Sequence, residues 1–199
     1  MKEKVRFDEF SRKEYNPGNK MIRVAWYFTS SIFFKSGLSV SSKLKVFLLR
    51  IFKAKIGKGV IIKPKVNIKY PWFLVLGDHI WIGEEAWIDN LSKVTIGNNV
   101  CISQGAMILT GNHNYTKKTF DLIVEPVIIE DGVWVGAKAI ICPGVVLKTH
   151  SVLTVGSVIT GNAEPYGIYQ GIPAVKIRER KIFSPIWNKF PICGKKKCF

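Results

Sequence analysis

The sequence has few of the residues that cross-link small proteins by disulfides or bind metals. Its 199 residues include four cysteines and three histidines, so a dense disulfide framework is excluded. Cys101 and Cys142 fall inside a repeat and are expected to be reduced thiols. Cys193 and Cys198 enclose three lysines, but a structural zinc site wants four ligands, so no metal or disulfide is expected there.

Acidic residues are also scarce. There are 14 Asp and Glu against 30 Lys and Arg, which gives a net charge of +16. This charge favours an anionic partner, which can be nucleic acid, an anionic membrane or a phosphorylated ligand. No nucleic-acid recognition motif accompanies it, so nucleic-acid binding is not expected. The first ten residues lack the apolar run of a signal peptide, and a cytoplasmic location is therefore expected.

A six-residue repeat dominates the chain after residue 55. Each step starts on Ile, Leu or Val, and the residue four positions later is mostly small or apolar. The fifteen starts are Ile56, Ile62, Ile68, Leu76, Ile82, Ile88, Ile96, Ile102, Ile108, Ile129, Val135, Ile141, Leu147, Leu153 and Ile159. Such a register predicts a parallel β-helix with a narrow apolar interior over residues 56–164.

The interruptions of the repeat show how the coils are built. The steps from 68 to 76 and from 88 to 96 each carry two extra residues, and the step from 108 to 129 carries fifteen. All three fall in the third hexad, so three hexads form one triangular coil. About five coils follow, each rising roughly 4.8 Å, with a loop extruded at 110–126. Glycines after several starts are expected to turn the corners with positive φ. They are Gly57, Gly77, Gly83, Gly97 and Gly136.

The two ends of the chain depart from the repeat. Residues 1–55 contain two stretches of helical character, KMIRVAWYFTSSIFFK and SSKLKVFLLRIFK, which are expected to cap the open end of the β-helix. The alternative is peripheral contact with an anionic membrane, because the first stretch mixes aromatic and basic residues and is too short to span a bilayer. Residues 165–199 form a basic tail, expected to be helical or irregular from residue 176.

Of the three histidines, only His113 has a position that suits a catalytic role. His79 and His150 lie on the same face three coils apart, roughly 14 Å at the coil spacing, which is too far to share a metal. His113, in LTGNHNY, stands at the root of the long loop. Its ordinary pKa lies near neutrality, which suits a general base. A surface histidine without a catalytic role is the alternative.

Three segments carry a resemblance to a known family. They are WIDNLSKVTIGNNVCISQGAMILTGNHNY, TFDLIVEPVIIEDGVWVGAKAIICPGVVL and PYGIYQGIPAVKIRER. The chain resembles the hexapeptide-repeat sugar O-acetyltransferases over about residues 5–182, and within them the colanic acid biosynthesis branch. The resemblance implies a left-handed β-helix, a homotrimer, acetyl-CoA in the grooves between neighbours, and His113 as the base that takes a proton from a carbohydrate hydroxyl. The process implied is polysaccharide biosynthesis.

Asp89 and Asn90 lie on the third-hexad face one coil below Leu109 and Thr110. Together with Asn112 they are expected to support His113 or to bind the acceptor; the alternative is that Asp89 and Asn90 only solvate a corner. No metal is expected. The resemblance also implies a coenzyme A site. Coenzyme A would contact Gly136, Ala137, Val155, Thr160, Lys176 and Arg178. Three positions depart from the family. Gly83 stands where the galactoside enzymes have asparagine, Gly161 stands where relatives often have lysine, and Lys176 comes one residue later than the usual basic position.

The sequence admits two alternatives to a sugar acetyltransferase. One is an acetyltransferase with a small antibiotic or an amino acid as acceptor, which would share the same fold and donor. The other is a non-catalytic trimeric scaffold that uses its basic surface for docking to a membrane or a partner. Binding of acetyl-CoA separates the scaffold from the enzymes.

Overall fold

The computed structural model describes residues 4–10 and 15–183. A 3-10 turn at Phe7–Glu9 precedes two helices, α1 (Lys20–Phe33) and α2 (Ser42–Ile51). The side chain of Asn19 accepts the Met21 N–H at 2.8 Å to begin α1, and the Ser41 hydroxyl oxygen accepts the Leu44 N–H at 3.3 Å to begin α2.

Short strands then stack into three parallel sheets that form the faces of a triangular rod. Sheet A contains β1 (Lys55–Ile56), β4 (Leu74–Leu76), β7 (Val94–Ile96), β12 (Val127–Ile129) and β15 (Val146–Leu147). Sheet B contains β2 (Ile61–Ile62), β5 (Trp81–Ile82), β8 (Cys101–Ile102), β13 (Trp134–Val135), β16 (Val152–Leu153) and β18 (Gly167–Gly171). Sheet C contains β3 (Asn67–Ile68), β6 (Trp87–Asp89), β9 (Met107–Leu109), β14 (Ile140–Ile141) and β17 (Val158–Ile159).

Each repeat start lies directly above the start of the coil below. In sheet B, for example, Ile62 pairs with Ile82, Ile82 with Ile102, and Ile102 with Val135. These side chains and the small residues four positions later fill the interior and are almost completely buried. The predicted class, a parallel β-helix of hexapeptide repeats with a helical cap, is confirmed, with five complete coils and one further strand, β18.

The expected role of the glycines that follow the repeat starts is wrong. None of these five glycines has positive φ. They permit close stacking instead, because a Cβ on Gly77 would lie 2.9 Å from the carbonyl carbon of Gly97, and one on Gly136 would lie 2.6 Å from the Val155 nitrogen. Gly83 is confined in the same way, because a Cβ there would lie 2.7 Å from the Gln104 nitrogen.

The left-handed backbone conformation occurs two residues further on, at the third residue after a start. Glycine fills some of these positions, whereas His79 and His150 adopt φ of 56° and 58° at others. The full set after the starts is Gly59, Lys65, His79, Glu85, Asn99, Gly105, Gly132, Lys138, Gly144, His150 and Gly156. The corner residue with positive φ can therefore carry a side chain that points outward. The glycine directly after a repeat start has no room for a side chain.

Side chains of both helices satisfy carbonyl groups of the first coil. On sheet C, the Trp26 indole N–H donates to the Ile68 carbonyl at 2.9 Å. Beside sheet A, the Arg50 guanidinium donates to the carbonyls of Ile56 and Gly57 at 2.8 and 2.9 Å. An open end of stacked parallel strands would leave such groups unpaired, so this is how the predicted cap acts.

A buried lysine donates hydrogen bonds to carbonyl groups of the first coil on sheet B. The ammonium group of Lys45, with no exposed surface, donates to the carbonyls of Ile62 and Lys63 at 3.4 and 2.8 Å. The Ser42 hydroxyl oxygen accepts the Ile62 N–H at 3.0 Å. The Lys45 ammonium also lies 6.0 Å from the Phe34 ring centroid, and burial lowers the pKa of this lysine.

The chain after residue 164 differs from the expectation for the tail. Strand β18 extends sheet B, and β19 (Ala174–Glu179) folds back on it antiparallel. Residues 176–179 are therefore strand and not helical or irregular. Cys193 and Cys198 lie outside the described residues.

The stacking role of the glycines gives a stability prediction. Gly77→Ala should lower the free energy of unfolding by about 2–3 kcal/mol, because the methyl group must displace the backbone of the next coil. The matched control is Gly161→Ala, where an added Cβ meets no atom within 4 Å and φ is not positive, so the change should stay within about 0.5 kcal/mol. Urea unfolding measures both, and equal losses would contradict the stacking role.

Candidate functional site

The long loop is a β-hairpin that projects from the edge between sheets C and A. Strand β10 (Gly111–His113) pairs antiparallel with β11 (Leu122–Val124), and His113 lies opposite Leu122. The Glu125 N–H donates to the Thr110 carbonyl at 2.9 Å and closes the base of the hairpin. The predicted loop therefore holds His113 on a paired strand.

Contacts with the hairpin turn orient the imidazole of His113. Its Nδ1 lies 2.9 Å from the Phe120 carbonyl oxygen, and the two rings stack with centroids 4.4 Å apart and planes 12° from parallel. A carbonyl oxygen only accepts, so Nδ1 must carry the proton. The lone pair of the neutral ring is then on Nε2, which is the arrangement a general base needs.

His113 lines a cleft of about 390 Å³ built from separate parts of the chain. Its wall comprises Phe10, Tyr15, Pro17, Arg23, Lys69, Tyr70, Leu91, His113 and Leu122. The N-terminal segment is held there because the Arg6 N–H donates to the Lys118 carbonyl at 2.9 Å and the Phe7 ring meets the Phe120 ring edge-on at 5.3 Å. The N-terminal region was expected to shape the acceptor site together with the loop, but its individual residues were not predicted, because no repeat links them to the loop.

A second cleft, of about 310 Å³, adjoins the first and shares Arg23, Lys69 and Tyr70 with it. Helix α1 forms one wall, and Trp87 and Asp89 on sheet C form the other. The Lys69 ammonium pairs with the Asp89 carboxylate at 2.8 Å. The Nε of Arg23 is buried without a hydrogen-bond partner among the described residues. Two cations and one carboxylate thus face a compartment that leads to His113.

The three residues expected to support His113 have different positions. Asp89 lines the second cleft, but its carboxylate pairs with Lys69 and not with His113. Asn90 is fully buried, and its amide bonds the Tyr70 N–H and carbonyl at 3.0 and 2.6 Å, so it holds the neighbouring coil in place. Asn112 is exposed beside His113, whose N–H donates to the Asn112 side chain at 2.8 Å.

The residues expected to contact coenzyme A fall into two groups. Gly136, Ala137 and Val155 line one depression of about 290 Å³ at the edge between sheets B and C. Thr160 follows β17, and Lys176 and Arg178 lie exposed on β19, all outside this depression. The depression shares no lining residue with the His113 cleft, because sheet C separates the two edges of the rod.

The other titratable groups point to no second centre. Among residues 4–10 and 15–183, no group of three His, Cys, Asp or Glu side chains is placed to hold a metal ion. His150 stacks on Tyr166 with ring centroids 5.0 Å apart. Cys101 and Cys142 are free and half-buried, and burial raises the pKa of both thiols.

Known proteins share this architecture. No family model matches the chain. Solved structures with the same fold include a hexapeptide-repeat acetyltransferase of Vibrio cholerae complexed with acetyl coenzyme A, with a TM-score of 0.75 and 23% identity over 82% of this chain and 89% of that one. A galactoside acetyltransferase in complex with coenzyme A gives a TM-score of 0.71 and 24% identity over 80% of each chain. The likeness to these structures identifies the fold, a parallel β-helix of hexapeptide repeats.

Similarity of sequence narrows the class to a family. The chain is 34% identical over 168 residues to WcaF of Escherichia coli K12, provisionally named a colanic acid biosynthesis acetyltransferase, and the match covers 84% of this chain and 92% of WcaF. It is 29% identical over 135 residues, 66% of each chain, to the galactoside O-acetyltransferase of the same organism. The protein belongs to the WcaF family of acetyltransferases, as predicted from the sequence.

The bond between His113 and Phe120 leads to a spectroscopic prediction. At a pH where His113 is neutral, the ring should be the Nδ1-protonated tautomer, because the Phe120 carbonyl binds that proton. Nitrogen-15 spectra of histidine-labelled protein, assigned with the His113→Asn variant, report which nitrogen carries hydrogen. A ring protonated at Nε2 would contradict the geometry.

Proposed function

We propose that the protein transfers an acetyl group from acetyl-CoA to a hydroxyl group of a sugar in a polysaccharide precursor, with His113 as the general base. The bond from Nδ1 to the Phe120 carbonyl carries the proposal, because it leaves Nε2 as the proton acceptor in a cleft large enough for a sugar ring. Without such a contact, rotation of the imidazole would present either nitrogen.

The chemistry follows from that orientation. Nε2 of His113 takes the proton of the acceptor hydroxyl while its oxygen attacks the thioester carbonyl. The tetrahedral intermediate collapses by breaking the carbon–sulfur bond, which leaves the acetyl ester on the sugar. The imidazolium returns its proton to the departing thiolate. The Phe120 carbonyl faces the cationic ring during this step and stabilises it.

Transfer occurs directly, without an acetylated enzyme. A thiol nucleophile works as the thiolate, and burial raises the pKa of both Cys101 and Cys142. Among residues 4–10 and 15–183, no cysteine lines the cleft of His113. In this proposal the attacking group is the acceptor hydroxyl itself.

The wall of the two clefts suits a carbohydrate. Asp89, Lys69 and Arg23 offer hydrogen-bonding groups, while Tyr70 and Trp87 offer flat apolar surfaces. Sugars present both polar edges and apolar faces, so this mixture fits them. Galactoside and colanic acid in the names of the relatives agree with such an acceptor.

The donor occupies a groove shared by neighbouring protomers of a homotrimer. The glycine and small side chains at 136, 137 and 155 let a pantetheine arm lie against the backbone, and Lys176 and Arg178 supply charge for phosphates. Because His113 lies on another edge, a neighbour must bring its own hairpin to this groove. Exposed Ile61, Trp81 and Trp134 along sheet B form an apolar strip of the kind that subunit contacts cover.

Replacement of the base tests the proposal. His113→Ala should lower kcat for acetyl transfer by about a hundredfold or more, because the hydroxyl loses its proton acceptor. The KM for acetyl-CoA should change little. The measurement is thiol release from acetyl-CoA with a panel of sugar acceptors.

The matched control is His79→Asn. His79 has φ of 56° on a corner away from the cleft, and asparagine tolerates this conformation. It should keep wild-type turnover. An unchanged kcat in His113→Ala would overturn the role of His113, and the absence of acetyl-CoA binding by the wild type would overturn the enzyme assignment.

A further inference from the structure

Helix α1 is apolar on the side that faces away from the β-helix. Met21, Val24, Phe28 and Ile32 recur at helical spacing and are between 49% and 81% exposed. The opposite side of the helix packs on the rod, where Trp26 is buried. A helix that only caps the rod would carry polar residues on its outer side, so this stripe requires another explanation.

Helix α2 repeats the same arrangement. Leu44, Phe47 and Ile51 follow the spacing i, i+3 and i+7 and are between 39% and 58% exposed. Lys45 and Leu49, on the opposite side, are completely buried. Both cap helices therefore have a second apolar stripe that the fold of one chain leaves uncovered. These seven residues are the cap stripes.

The segment of the sequence that contains the cap stripes carries charge of one sign. Residues 20–65 contain eleven Lys and Arg and no Asp or Glu. Lys20, Lys35, Lys43 and Lys53 are exposed at or near the helix ends. An apolar stripe flanked by lysines is the pattern of a helix that lies in the interface of an anionic bilayer, where rings enter the acyl boundary and ammonium groups meet lipid phosphates.

We propose that the cap stripes dock the protein on the surface of an anionic phospholipid bilayer. A second copy of the chain fits them less well, because residues 20–65 of both copies carry charge of one sign. Among the described residues no helix is long and apolar enough to cross a membrane, and docking requires only that α1 and α2 lie on it.

Docking would also place the acceptor site next to the lipid. Arg23 and Tyr27 on α1 line the clefts that lead to His113, while the stripe of the same helix faces outward. On the function proposed above, the acceptor is then a sugar chain attached to a membrane anchor, presented along α1 to His113. Vesicle binding itself does not depend on that function.

Flotation of the full chain with vesicles tests the proposal. The wild type should float with vesicles of equal parts phosphatidylglycerol and phosphatidylcholine, and much less with phosphatidylcholine alone. The double variant Phe28→Ser, Phe47→Ser should reduce the partition coefficient about tenfold or more, because two rings no longer enter the bilayer. The matched control is the double variant Val175→Ser, Phe183→Ser, which changes exposed apolar residues beyond the last coil and should float like the wild type.

Circular dichroism and turnover with a water-soluble acceptor verify that the stripe variant is folded. His113→Ala should float like the wild type, so loss of catalysis and loss of docking are separate results. Docking is overturned if the wild type does not float, or if the stripe variant floats equally well. It is also overturned if the only effect of the double variant Phe28→Ser, Phe47→Ser is a smaller oligomer in solution. That result would assign the cap stripes to contacts between copies of the chain.

Discussion

The hydrogen-bonded stacking of one coil on the next is the constraint on which the rest of the structure depends. At the edge between sheets A and B, the side chains of Asp78, Asn98 and Asp131 each accept the backbone N–H of the equivalent residue one coil below, at 2.6–2.8 Å. The preceding residue of these coils is glycine at 57, 77 and 97, because a Cβ would collide with the coil above. A close backbone contact and a side-chain ladder together fix the register of the rod.

This constraint explains why the site lies where it does. Extra residues at a tightly stacked edge would break the ladder, and the repeat admits them only at the edge between sheets C and A. Lys69 and Tyr70 come from the first insertion, Leu91 from the second, and His113 from the hairpin. Three insertions at one edge stack above one another and build one wall, so a chain of similar coils acquires the cleft that contains His113.

The six-residue period of the sequence predicted the coils and the position of the hairpin, but it could not predict the contacts that build the site. Hexads whose starts are all Ile, Leu or Val identify the faces, the coil number and the root of the hairpin, because a buried position admits few residue types. The same period misassigned the stacking glycines, since spacing identifies a corner but does not say which of its residues takes positive φ.

The contact of His113 with the Phe120 carbonyl depends on how a turn closes, and no repeat governs that. Arg23 joins the cleft only through packing of α1, which is equally invisible to periodicity. The burial of Asn90 likewise follows from its bonds to Tyr70 and not from its residue type.

The proposed homotrimer requires His113 of one protomer to act on a thioester held in the groove of another. Co-expression of the His113→Ala chain with an Ala137→Trp chain, whose indole would fill the groove, tests it most directly. Each variant alone should be inactive. In mixed trimers an intact histidine should meet an intact groove at about one interface in four, which restores about a quarter of wild-type turnover. Mixed trimers with no more activity than the separate variants would contradict the shared site.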